Sequence, residues 1–63
     1  MPYVLHILTH GRWYMEHYDC LEDATDAALA LEHEPRERAD RITLDGKTVV
    51  DRAGLDSLAR RRL

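Results

Sequence analysis

Sixty-three residues with a net charge of −3 and a single cysteine make one domain, near the lower size limit for an unassisted hydrophobic core. The lone Cys20 excludes an intrachain disulfide, so a metal or a second subunit is left to supplement a core that rarely supplies more than about 3–5 kcal/mol. No apolar run reaches the roughly 18–20 residues of a membrane span, and Pro2–Thr9 lacks the basic flank and small-residue cleavage site of a secretory leader. A cytoplasmic location is therefore expected.

The charge is unevenly spread. Glu16 to Glu34 holds seven acids and no Lys or Arg, whereas from Pro35 onward eight basic residues stand against five acids. Such asymmetry can steer a partner, but alone it argues only solubility.

Pro2 to Tyr18 reads as a β-hairpin, rich in β-branched and aromatic residues and turning at His10-Gly11, a pair that accepts the positive φ angles of a two-residue turn. That turn pairs Tyr3 with Tyr18, Leu5 with Glu16, Ile7 with Tyr14, Leu8 with Trp13 and Thr9 with Arg12. One side then carries Val4, His6, Leu8, Trp13, Met15 and His17; the other carries Tyr3, Leu5, Ile7, Tyr14 and Tyr18, edged by Thr9, Arg12 and Glu16. Neither side is the polar face expected of a hairpin half in water.

Asp19 is the expected N-cap of the next helix, with Glu22 approximating a capping box. Leu21, Ala24, Ala28 and Leu31 form an apolar stripe widened by Leu29, and Pro35 ends the helix around His33 or Glu34. Pro35–Asp40 reads as a polar connector. Arg41–Leu44 and Lys47–Val50 form a second hairpin about Asp45-Gly46, with Ile42, Leu44 and Val49 on one face and Thr43 opposite Thr48 on the other. Asp51 caps a C-terminal helix whose Leu55, Leu58 and Ala59 face inward. Arg60, Arg61 and Arg62 complement its dipole, and Gly54 costs it about 1 kcal/mol against alanine.

The expected fold is α+β, ββαββα, a four-stranded antiparallel sheet of order 2-1-3-4 with both helices on one face. It is a single domain of two hairpin–helix halves, residues 1–34 and 40–63.

Chemistry-bearing clusters are weak. His6 and His17 are diagonal neighbours near Cys20, and imidazole and thiolate suit zinc, but three ligands at this spacing match no zinc signature, and no metal or cofactor is expected. Cys20 near a helix start, with His17 as base, has the outline of a nucleophile. Yet neighbouring acids oppose a thiolate and no oxyanion-binding loop is evident, so an enzyme is not expected. The three isolated glycines form no phosphate-binding loop. Glu22, Asp23, Asp26, Glu32 and Glu34 give the first helix an acidic face, too sparse for a mimic of DNA and better read as solubilising.

The two-sided hairpin favours a non-enzymatic protein–protein interaction module. It docks to a partner or dimerises through Tyr3, Leu5, Ile7, Tyr14 and Tyr18, with Arg12 and Glu16 as rim. The size and composition suit an accessory or inhibitory protein of a phage or mobile element. The alternative is a single-stranded nucleic-acid binder that stacks bases on the hairpin aromatics and holds phosphates with Arg60, Arg61 and Arg62, against which the acidic middle argues.

Overall fold

The computed structural model describes residues 2–62, without the side chains of His33 and Arg62. Strands β1 (Tyr3–Thr9) and β2 (Arg12–Tyr18) are followed by helix α1 (Leu21–Ala30) and a 3-10 turn at Leu31–His33. Strands β3 (Glu37–Leu44) and β4 (Lys47–Val50) and helix α2 (Arg52–Arg62) complete the chain. The sheet is antiparallel in the order β2-β1-β3-β4. The architecture is thus α+β, ββαββα, as the turn and cap residues lead one to expect.

Both hairpins turn on paired positive φ angles. His10 and Gly11 lie at φ 51 and 78, Asp45 and Gly46 at φ 53 and 79. Two successive left-handed residues make the turn whose twist matches that of the flanking strands. The β1–β2 register follows directly, from Thr9 opposite Arg12 to Tyr3 opposite Tyr18.

Three local features differ from the sequence reading. Asp19 does not cap α1. The chain bends at Asp19-Cys20, and Cys20 takes the extended N-cap position (φ −135, ψ 157) with no side-chain cap bond, because the helix is phased to seat Leu21 and Ala24 on the sheet. The connector is also shorter than expected, since Glu37–Asp40 joins β3 and pairs with the end of β1 around a bulge between His6 and Ile7. Finally, a bulge in the second hairpin sets Val50, not Val49, opposite Ile42, leaving Val49 exposed while Val50 packs on the core.

Leu5, Ile7, Ala24, Ala28, Ala39, Ile42 and Leu55 form the buried cluster, with Tyr3, Tyr18, Leu21, Leu31 and Val50 packed around it. The helices therefore cover the side of β1 that carries Tyr3, Leu5 and Ile7. Asp51 caps α2 as expected, its Oδ1 accepting the Gly54 N–H at 2.8 Å. A Cβ at Gly54 would lie 3.2 Å from Val50 Cγ1 and 3.3 Å from that Oδ1, so the glycine allows helix, strand end and cap to approach. Arg52 ties the layers together: Nη1 donates to the Ala39 carbonyl at 2.5 Å and approaches Glu32 Oε1 at 3.4 Å, while Nη2 meets Asp56 Oδ1 at 2.9 Å.

Candidate functional site: the β2 edge and the uncovered face of the sheet

The face expected to dock is the face that builds the core. Leu5 is 0% exposed and Ile7 is buried, so neither can meet a partner without unfolding, and Tyr3 and Tyr18 are half-buried against the cluster. Register explains the inversion. The order β2-β1-β3 places Leu5 opposite Ile42, and Ile7 opposite Ala39, so these residues share a side with the apolar face of the second hairpin. Only that combined face is continuous enough to receive two helices.

Burial falls away toward β2. Every residue from Arg12 to His17 is exposed, on both sides of the strand. On the helix side Tyr14 is 51% exposed, between Arg12 and Glu16, so these three members of the expected site do lie on open surface. The Tyr18 hydroxyl donates to Glu16 Oε2 at 3.0 Å, and burial, followed by the Glu16 bond and the nearby carboxylates, pushes the Tyr18 phenol pKa up. Beside the strand, Ile7, Thr9, Tyr14, Met15, Glu16, Leu31 and Glu37 line an open depression of about 410 Å³.

Among the described residues no helix lies over the other side of the sheet. By pairing it carries Trp13, Met15 and His17 from β2, Val4, His6 and Leu8 from β1, and Arg38, Arg41 and Thr43 from β3. Trp13 is 58% and Met15 63% exposed, the two most exposed large hydrophobic side chains among the described residues. His6 Nε2 and Thr43 Oγ1 share a hydrogen bond at 2.9 Å. The His6 pKa is lowered, first by burial and then by the Arg41 charge, with Asp40 pulling the other way. Asp40, the extra residue of the β3 bulge, pairs with Arg41 at 2.5 Å. The remaining strand acids, Glu16 and Glu37, lie on the helix side opposite Leu5 and Thr9. The acidic stretch that follows the hairpin in sequence is thereby carried into the α1 layer, away from the uncovered face.

Sequence reasoning missed this face because placing the docking residues on the side of Tyr3, Leu5 and Ile7 leaves the side of Trp13 and Met15 to meet the helices. The signal that could have found it was the Thr43–Thr48 face of the second hairpin, whose polarity marks the wet side of the whole sheet. The histidine–cysteine idea gains nothing from the fold, since no three described His, Cys, Asp or Glu side chains group closely enough to hold a metal ion. Cys20 is free and exposed. Arg60 and Arg61 extend from α2, in the layer opposite Trp13, and the side chain of Arg62 lies outside the described residues. Among the described residues no helix is long and apolar enough to cross a membrane. The chain matches no protein-family model, no curated protein and no solved structure with which it was compared.

Proposed function

We propose that this chain is a small non-enzymatic protein–protein interaction module that docks through β2 and takes an extended segment of its partner against that strand. The supporting observation is the run Trp13, Tyr14, Met15, three consecutive large side chains each more than half exposed on an edge strand. A Trp and a Met on one side, a Tyr on the other, and Arg12 and Glu16 at the margins have the composition of an interface centre with a polar rim. The unpaired backbone of an edge strand supplies hydrogen bonds to a strand-like partner. As a cytoplasmic accessory or inhibitory protein, it would act by occupancy instead of catalysis.

The nucleic-acid reading draws support from Arg38 and Arg41 on the uncovered face. It is weakened by the placement of all three tyrosines on the helix side, which leaves Trp13 as the one large aromatic ring on the uncovered face, beside the smaller imidazoles of His6 and His17. Arg60 and Arg61 lie in the other layer, away from Trp13.

Photo-crosslinking decides between these readings. A photoreactive side chain at Tyr14, in cells that make the protein, is expected to trap one protein partner. That adduct should be lost in the Trp13→Ala/Met15→Ala variant and absent when the probe sits at Glu22 on α1. Adducts with RNA or DNA, together with salt-dependent quenching of Trp13 fluorescence by oligonucleotide, would replace the protein reading with the alternative.

A further inference from the structure

The two edges of the sheet are not equivalent. β4 has four residues, a bulge at Val49 and a lysine, all features that discourage pairing with another chain. β2 has seven residues, an unbroken register, no proline and no lysine. In a two-residue hairpin the residues flanking the turn form a hydrogen-bonded pair, and such pairs alternate along the ladder. Arg12, Tyr14, Glu16 and Tyr18 therefore direct their N–H and C=O groups toward β1. Trp13, Met15 and His17 direct theirs outward, unpaired.

Resting on the docking role of β2 just proposed, we infer that the partner is a second copy of this chain, paired antiparallel along β2 about a two-fold axis at Tyr14. The order Arg12-Trp13-Tyr14-Met15-Glu16 is self-complementary about its centre. With the axis there, Arg12 faces the partner's Glu16, Trp13 faces the partner's Met15, and Tyr14 faces the partner's Tyr14. The outward-directed Trp13 and Met15 become the hydrogen-bonded pair, which the ladder geometry requires. On the uncovered side two sulfur–aromatic contacts form, and on the helix side two opposite-charge pairs flank a tyrosine pair. The depression lined by Ile7, Leu31 and Glu37 leaves room beside each Tyr14 ring.

Neighbouring registers lack this match. An axis at Met15 sets Tyr14 against Glu16 and Trp13 against His17, and an axis at Glu16 opposes two carboxylates. The assembly is a continuous sheet with the two unprotected edges consumed, and it closes as a dimer because the remaining edges are the blunted β4 strands.

Sedimentation velocity on the purified chain from micromolar to millimolar concentration tests the inference. A dimer is expected. Arg12→Glu and Glu16→Arg should each weaken it about tenfold or more, because each places like charges opposite one another twice, and the double variant should restore it. In a Cys20→Ser background, Tyr14→Cys should oxidise to a disulfide-linked dimer, whereas His17→Cys, which has no self-contact in this register, should not. Thermal melts identify any variant that fails to fold; for that case Met15→Lys, which puts a charge on the edge without touching the core, is the substitute and should also give monomer. A chain that stays monomeric to millimolar concentration overturns the inference. So does a dimer indifferent to the charge swaps. Either result leaves docking to a different protein to the crosslinking experiment, which fails separately.

Discussion

The imidazole Nε2 of His6 and the hydroxyl of Thr43 stand 2.9 Å apart across the β1–β3 ladder, joining residues 37 positions apart in the chain. Thr43 is only 8% exposed although it lies on the side without helices, so this polar contact and its neighbours form a small roof over the centre of the sheet. Burial and Arg41 hold the His6 pKa below its usual 6.5. The folded state therefore prefers neutral imidazole, and its contribution to stability is present above pH 6.5 and lost as pH falls toward the folded value. The melting temperature should drop between about pH 7.5 and about pH 5.5, and a His6→Gln variant should show a smaller drop over that window. An equal slope in both proteins would remove His6 as the cause.

Leu5→Ala should cost about 2–5 kcal/mol in denaturant unfolding, most of what a domain this small possesses. In protein dilute enough to be monomeric, Trp13→Ala and Met15→Ala should each stay within about 0.5 kcal/mol of the parent, since both side chains are then largely in water. The contrast between adjacent strands of one hairpin tests which face is the core.

The two helices start differently. Asp51→Ala removes the bond to the Gly54 N–H and should cost about 1 kcal/mol. Cys20 occupies an N-cap backbone without making a cap bond, so Cys20→Ser or Cys20→Asp should stabilise the fold by about 0.5–1 kcal/mol. Chemical denaturation of the three variants measures both signs.

Arg52→Met should cost about 1–3 kcal/mol, because the Ala39 carbonyl loses its guanidinium donor and Glu32 and Asp56 lose their shared cation. Arg52→Lys should recover only part of this, since one ammonium cannot span three acceptors on separate elements. Amide exchange at the start of β3 reports the same loosening locally.

Local chemistry was legible in the chain where a few adjacent residues decide the outcome. His10-Gly11 and Asp45-Gly46 specify two-residue turns, and the first of them dictates the full β1–β2 register. Asp51 with Gly54 marks a helix start, and Pro35 marks the stop after Leu31–His33. The bulges at Asp40 and Val49 left no mark. Each depends on how one strand accommodates another that is distant in sequence or already fixed by its own turn.

Of the expected docking residues, Arg12, Tyr14 and Glu16 lie on open surface, while Leu5 and Ile7 form the core. A hairpin that is apolar on both sides does not declare which side will be covered. Periodicity assigns residues to two sides, and turn chemistry pairs them, so the register of the first hairpin and the composition of its two sides were determined by the sequence alone. Which side faces the helices was decided only in the tertiary structure. The β1–β3 register aligns Leu5 and Ile7 with Ile42 and Ala39, and the helices settle where that alignment makes the apolar area continuous. Trp13 and Met15 are left in water by the same alignment, not by any property of their own.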